Sequence, residues 1–154
     1  MKKNFSFIIC LLIPLGVGGL SAWLTANSAE VYKNLIQPPL APPSAVFPIV
    51  WTILFALMGI SSFLIYNCHY SKKQAALKTY GLQLAVNFFW PILFFKLQMF
   101  LAAFIWLLIL WLLIIKMIKQ FWQIRPFAGI LQVPYFLWVT FAAYLNLAVF
   151  ILNK

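Results

Sequence analysis

The sequence predicts an all-α fold, an integral membrane bundle of five transmembrane helices. Three observations carry this. The 154-residue chain is 66% hydrophobic and 8% charged, where a soluble domain carries about 25% charged residues. Its mean hydropathy is +1.01. Its apolar residues fall into five runs, each near the ~20 residues that cross a bilayer as a helix. Almost nothing is left over for a soluble domain, so residues 1–154 read as a single transmembrane domain.

The first run, about 5–26, follows Lys2 and Lys3. A signal peptide is the competing reading, with small residues at Ala26–Ala29 as the cleavage region. The run exceeds the ~7–15 residues of a signal-peptide core, which favours a retained helix. The second and third runs lie at about 44–66 and 79–97, the fourth at 99–118 and the fifth at 128–152. Pro14, Pro48, Pro91 and Pro134 fall within the spans, where interior prolines free carbonyls and kink helices. Between the first two spans, residues 27–43 carry Glu30, Tyr32, Lys33 and the pairs Pro38–Pro39 and Pro42–Pro43. Paired prolines hold a chain extended, so this loop reads as stiff and ordered. It is either a lid across the helix ends or a plain rigid connector.

The net charge of +10 arises from eleven Lys and Arg against one carboxylate, Glu30. The basic residues sit at the ends of the spans, as membrane proteins place them, so no nucleic-acid partner is expected. Lys2, Lys3, Lys72, Lys73, Lys78, Lys116, Lys119 and Arg125 fall on one side of a five-span arrangement; Lys33, Lys96 and Lys154 fall on the other. The positive-inside rule then places the N-terminus inside. A single carboxylate excludes paired acid–base catalysis, a carboxylate metal cage and a carboxylate proton relay. Cys10 and Cys68 lack metal or disulfide spacing and read as free thiols.

Helical spacing groups large rings with isolated amides. Phe47, Trp51, Phe55 and Met58 share a face of the second span. Tyr80, Gln83, Asn87, Trp90 and Phe94 share one in the third, and Leu131, Tyr135, Trp138, Ala142, Leu145 and Asn146 one in the fifth. An amide in hydrocarbon is costly unless paired, so these faces should turn inward. They form either a pocket for a large flat apolar ligand or a packed aromatic core. Trp106 and Trp111 have no amide beside them and read as packing or lipid-facing. Gly81 and Ala85 form a small-residue step suited to a homodimer or a contact within the bundle, while Gly16, Gly19 and Trp23 read as packing within it.

Three stretches resemble one family. They are Tyr32–Leu35 through Pro38–Pro39 and Pro42–Pro43 to Phe47–Phe55 and Met58–Gly59, then Gln83–Pro91, then Val133–Ala142 with Leu145–Asn146. In order and spacing they are similar to the tryptophan-rich sensory and translocator proteins, the TspO/MBR family, also called peripheral-type benzodiazepine receptors. The resemblance spans essentially the whole chain. It implies a five-helix bundle, often a homodimer, in a membrane that for this chain is expected to be a bacterial plasma membrane. It implies binding of porphyrins such as protoporphyrin IX, and of isoquinoline and benzodiazepine-type ligands, in a pocket closed by the first loop. Tyr32 and Pro42 would belong to the lid; Trp51, Phe55, Asn87, Trp90, Trp138, Ala142 and Leu145 would line the site. Trp51 and Trp138 would also be the catalytic pair if the family's light- and oxygen-dependent porphyrin breakdown operates here. No cofactor is required, porphyrin being ligand or substrate, and no metal site is expected, since His69 lies in a loop toward the opposite face. The sterol motif of animal members is not matched, because Lys154 is too far from Tyr144.

The leading expectation is therefore a membrane receptor that stacks a tetrapyrrole between Trp51 and Trp138, with Lys33 near its propionates. A passive or partner-driven transporter of lipophilic molecules is the alternative, proton coupling being disfavoured by the lack of embedded ionisable groups.

Overall fold

The computed structural model describes residues 2–154, with side chains from Lys3 onward. Helix α1 spans Lys2–Leu24, α2 Ser28–Asn34, α3 Val46–Tyr66 and α4 Lys73–Pro91. A π-helical segment, Ile92–Lys96, continues α4. Then come α5 (Phe100–Ile124), α6 (Pro126–Ile130) and α7 (Val133–Leu152). No strand occurs among the described residues. The all-α prediction holds.

Four helical stretches are long and apolar enough to cross a membrane: Lys3–Leu24, Val46–Tyr66, Phe100–Ile124 and Pro126–Leu152. The fifth long helix, α4, has the length but not the hydropathy, because Lys73, Gln74, Lys78, Gln83 and Asn87 dilute it. Large apolar side chains such as Leu12, Ile53, Leu112, Leu137 and Ile151 point outward from the other four. So wide an apolar surface belongs against lipid, and the chain is a multi-pass membrane protein.

The prolines divide by position. Pro48 and Pro134 stand in the first turns of α3 and α7, where the missing N–H would have been unpaired anyway, so they kink nothing. Pro14 lies inside α1. Pro91 ends α4, and beyond it the backbone widens: the Leu97 N–H donates to the Ile92 carbonyl at 2.9 Å, five residues back. Such π turns are inserted wide turns that re-aim the side chains after them.

Helix α5 packs against α4 and α7, while α1 lies along α3. The core between them is filled by Met58, Leu107, Ile114, Met117, Phe121 and Val139, all fully buried. Gly18 and Gly59 set the approach of α1 to α3. A Cβ on Gly59 would lie 2.7 Å from the Leu11 Cα, and one on Gly18 would lie 2.3 Å from the Phe55 ring. The face expected to pack, Gly16, Gly19 and Trp23, points outward instead; Trp23 is 73% exposed. One residue of offset decides this, since neighbouring helical positions differ by about 100°. Trp106 and Trp111 are packing residues with partners of their own: Trp106 Nε1 donates to the Val86 carbonyl at 2.7 Å and Trp111 Nε1 to Thr140 Oγ1 at 2.8 Å.

A methyl group at Gly59 must push two backbones apart. Gly59→Ala is expected to destabilise the bundle by about 1–3 kcal/mol, the usual range for overpacking. Thermal unfolding in detergent, compared with Gly81→Ala at an open position, checks this.

Candidate functional site

A cavity of about 220 Å³ opens between α1, α3 and α4 beneath the first loop. Helix α1 contributes Gly18 and Ser21, and the turn after it Thr25. Helix α2 contributes Ser28 and Tyr32, and α3 contributes Phe47, Trp51 and Phe55. Asn87 and Trp90 come from α4 and Phe95 from the π segment. Trp51 stacks on Phe55 with centroids 5.5 Å apart and meets Tyr135 edge-on at 6.1 Å.

Several polar groups of the wall are tied down. Asn87 Nδ2 donates to Tyr135 Oη at 2.7 Å, and that hydroxyl donates to Gln83 Oε1 at 2.7 Å. Trp90 Nε1 donates to Asn146 Oδ1 at 3.0 Å, and Asn146 Nδ2 donates to the Phe100 carbonyl at 2.8 Å. Around the end of α1, Thr25 Oγ1 donates to the Ser21 carbonyl and Ser21 Oγ to the Phe88 carbonyl. Rings therefore present flat apolar surface in fixed orientations, with few polar edges among them. Such a surface recognises a flat, lipophilic molecule by shape and stacking.

The first loop covers the cavity, and part of it departs from expectation. Residues 28–34 form α2 rather than extended chain, because the prolines begin only at Pro38. The rest is strapped in place. Tyr32 Oη donates to the Pro42 carbonyl at 2.8 Å, and Gln37 Nε2 donates to the Tyr32 carbonyl. Asn153, at the end of α7, accepts from the Ile36 N–H at 2.9 Å and donates to its carbonyl at 3.1 Å. Tyr144 Oη donates to the Pro39 carbonyl at 2.9 Å. Leu40, 82% exposed, takes a left-handed φ of 68°, a strained conformation for a branched side chain that the prolines and straps hold. Burial pushes the Tyr32 phenol above its ordinary range.

Of the residues expected to bind ligand, Tyr32, Trp51, Phe55, Asn87 and Trp90 line this cavity. Pro42 acts through its carbonyl on Tyr32. Ala142 and Leu145 border a second, smaller space of about 20 Å³. Trp138 lines neither; its ring packs on Phe47 at 5.9 Å and on Phe141 at 5.6 Å. His69 follows the far end of α3 from the cavity, and Lys33 is exposed on α2. Sequence reasoning missed Gly18, Ser21 and Thr25. Their small size at helical spacing was the available signal, but the neighbouring glycines drew attention to another face. Phe95 was not readable, because the π turn sets its direction.

The profile of the TspO/MBR family matches residues 10–152. The chain is 36% identical over 153 residues to the tryptophan-rich sensory protein of Cereibacter sphaeroides, covering 99% of this chain and 95% of that one. It is 32% identical over 155 residues to the tryptophan-rich protein TspO of Chlorobaculum tepidum, covering 99% and 98%. It is 36% identical over 139 residues to the translocator protein of Ovis aries, covering 88% and 82%.

Tyr32→Phe removes the hydrogen bond that closes the lid while keeping the ring. A loss of about 1 kcal/mol, typical of one neutral hydrogen bond, should open the loop about fivefold more often. Limited proteolysis within residues 35–45 is expected to speed up by that factor, and global melting should change little.

Proposed function

The chain belongs to the TspO/MBR family, and on that premise we propose that it is a membrane receptor for porphyrins, protoporphyrin IX first among them, and related flat lipophilic ligands. The observation that carries the reading is the cavity of aromatic walls under a strapped loop. Trp51, Phe55 and Trp90 offer ring faces, Asn87 offers an amide, and Tyr32 closes the roof. Lys33 and Lys96 are exposed and follow the lining residues Tyr32 and Phe95 in the chain, and a cation beside the site favours carboxylate tails. Isoquinoline and benzodiazepine-type molecules fit the same description of flat, weakly polar ligands.

In this reading α4 is the fifth span. Gln83 and Asn87 are hidden inside the bundle, and Lys73, Gln74 and Lys78 sit at one end. The N-terminus lies inside a bacterial plasma membrane, following the uneven distribution of Lys and Arg. Gly81 and Ala85 are exposed on the outer face of α4, and a homodimer through that face belongs to the same proposal.

A photochemical activity is a second reading, favoured by the place of Trp51 in the cavity wall. A bound porphyrin would lie beside an indole able to give up an electron, with light and oxygen as the reactants. Trp138 would join this pair only in a state where ligand reaches past Phe47.

Dark titration of the purified protein with protoporphyrin IX tests the receptor reading. Saturable quenching of tryptophan fluorescence is expected, and Trp51→Ala should weaken binding about tenfold, since a lost stacking ring is worth ~0.5–1.5 kcal/mol beyond its area. Quenching that never saturates, or that Trp51→Ala leaves unchanged, would refute it. Illuminating the same samples then tests chemistry: breakdown no faster than in detergent alone removes the photochemical reading.

A further inference from the structure

The cavity and the smaller space beside it share four walls: Tyr32, Phe47, Trp90 and Phe95. At about 220 Å³ the cavity is below the ~300–1,000 Å³ of sites that enclose drug-sized ligands. A macrocycle therefore needs the shared wall to move. Three of its members are held. Tyr32 is tied to Pro42, and Trp90 is tied to Asn146. Phe95 is packed against both Trp90, at 6.0 Å, and Phe94, at 4.8 Å.

Phe47 is different. It is the second residue of α3, preceded by the single turn Pro43–Val46, in which the Val46 N–H donates to the Pro43 carbonyl at 3.0 Å. With no full helical turn before it, the χ1 restriction of a helix interior is relaxed there. It has no polar atom to tie, and it meets its two neighbouring rings edge-on, Tyr32 at 5.1 Å and Trp138 at 5.9 Å. Behind it the Trp138 indole N–H is buried without an acceptor. A buried donor with no partner is unfavourable, and a ligand acceptor that reached it would relieve this.

We propose that the Phe47 ring is the partition that sets ligand size. In place, it restricts the site to small aromatic ligands held on Trp51 and Phe55. Swung aside, it joins the two spaces into one slot from Trp51 to Ala142 and Leu145, brings ligand toward Trp138, and admits a flat macrocycle with acceptor groups at its edge. The inference rests on the proposed ligand class and adds to it a residue that selects within that class.

The test is a ratio of affinities. Isoquinoline and protoporphyrin IX are titrated in the dark against the full-length parent, Phe47→Ala and Phe47→Trp. If the open arrangement is populated about one-tenth of the time, removing the ring strengthens macrocycle binding by up to about tenfold. The macrocycle-to-isoquinoline affinity ratio should then rise about tenfold in Phe47→Ala and fall in Phe47→Trp. An equal ratio in all three proteins overturns the partition while leaving the receptor reading standing. Failure of both ligands to bind the parent saturably overturns the receptor reading and the partition with it. Should Phe47→Ala not fold, the Phe47→Trp ratio alone decides: a fall supports the partition, no change refutes it.

Discussion

A buried amide in a hydrocarbon setting is costly unless paired, and the paired amides of α4 and α7 organise this bundle. Gln83, Asn87 and Asn146 are almost fully buried. Gln83 and Asn87 meet on the hydroxyl of Tyr135, and Asn146 accepts the indole N–H of Trp90. Leaving one such group unpaired costs ~1–3 kcal/mol. Rotating α4 away would orphan several at once. These ties lock α4 to α7 and fix which residues of α4 face the interior. They also place Asn87 and Trp90 in the cavity wall. The least apolar of the long helices is thus the one whose orientation is most strongly specified.

That orientation was legible in the sequence because amides and rings recur together at helical spacing. The inward faces of α3, α4 and α7 were read correctly from Phe55, Gln83, Asn87, Tyr135 and Asn146 alone. Other features depend on information outside their own segment. Which glycine of α1 faces inward is settled by the Phe55 ring on α3, not by the glycine pattern of α1. Helix α2 was obscured by the prolines that follow it, although Ser28–Asn34 contains none. The π turn after Pro91 redirects Phe95 into the cavity, and no spacing rule for a regular helix anticipates it. Periodicity gave Trp138 the same general side as Tyr135 and Ala142; it could not show that Phe47 packs against the Trp138 ring and that the cavity ends short of it.

The lid and the cavity wall are both tied to α7. The cavity is walled by α1, α3 and α4. The loop above it is strapped to α7 through Tyr144 and Asn153. A shift of α7 relative to α3 would therefore strain the roof and, through Tyr135 and Asn146, the α4 side of the wall as well. The wall's neutral groups allow stacking and shape to dominate recognition.

The account's central claim is that flat ligands occupy the space between α1, α3 and α4. Photoaffinity labelling with a diazirine-bearing porphyrin in the dark-adapted protein, followed by peptide mapping, tests it most directly. Labelling confined to residues 17–32, 44–55 and 87–95 and to the adjoining Trp138, Ala142 and Leu145, and abolished by excess unlabelled protoporphyrin IX, is the result the account predicts. Labelling spread over outward-facing positions such as Leu112 and Leu137, or unaffected by competitor, would contradict it.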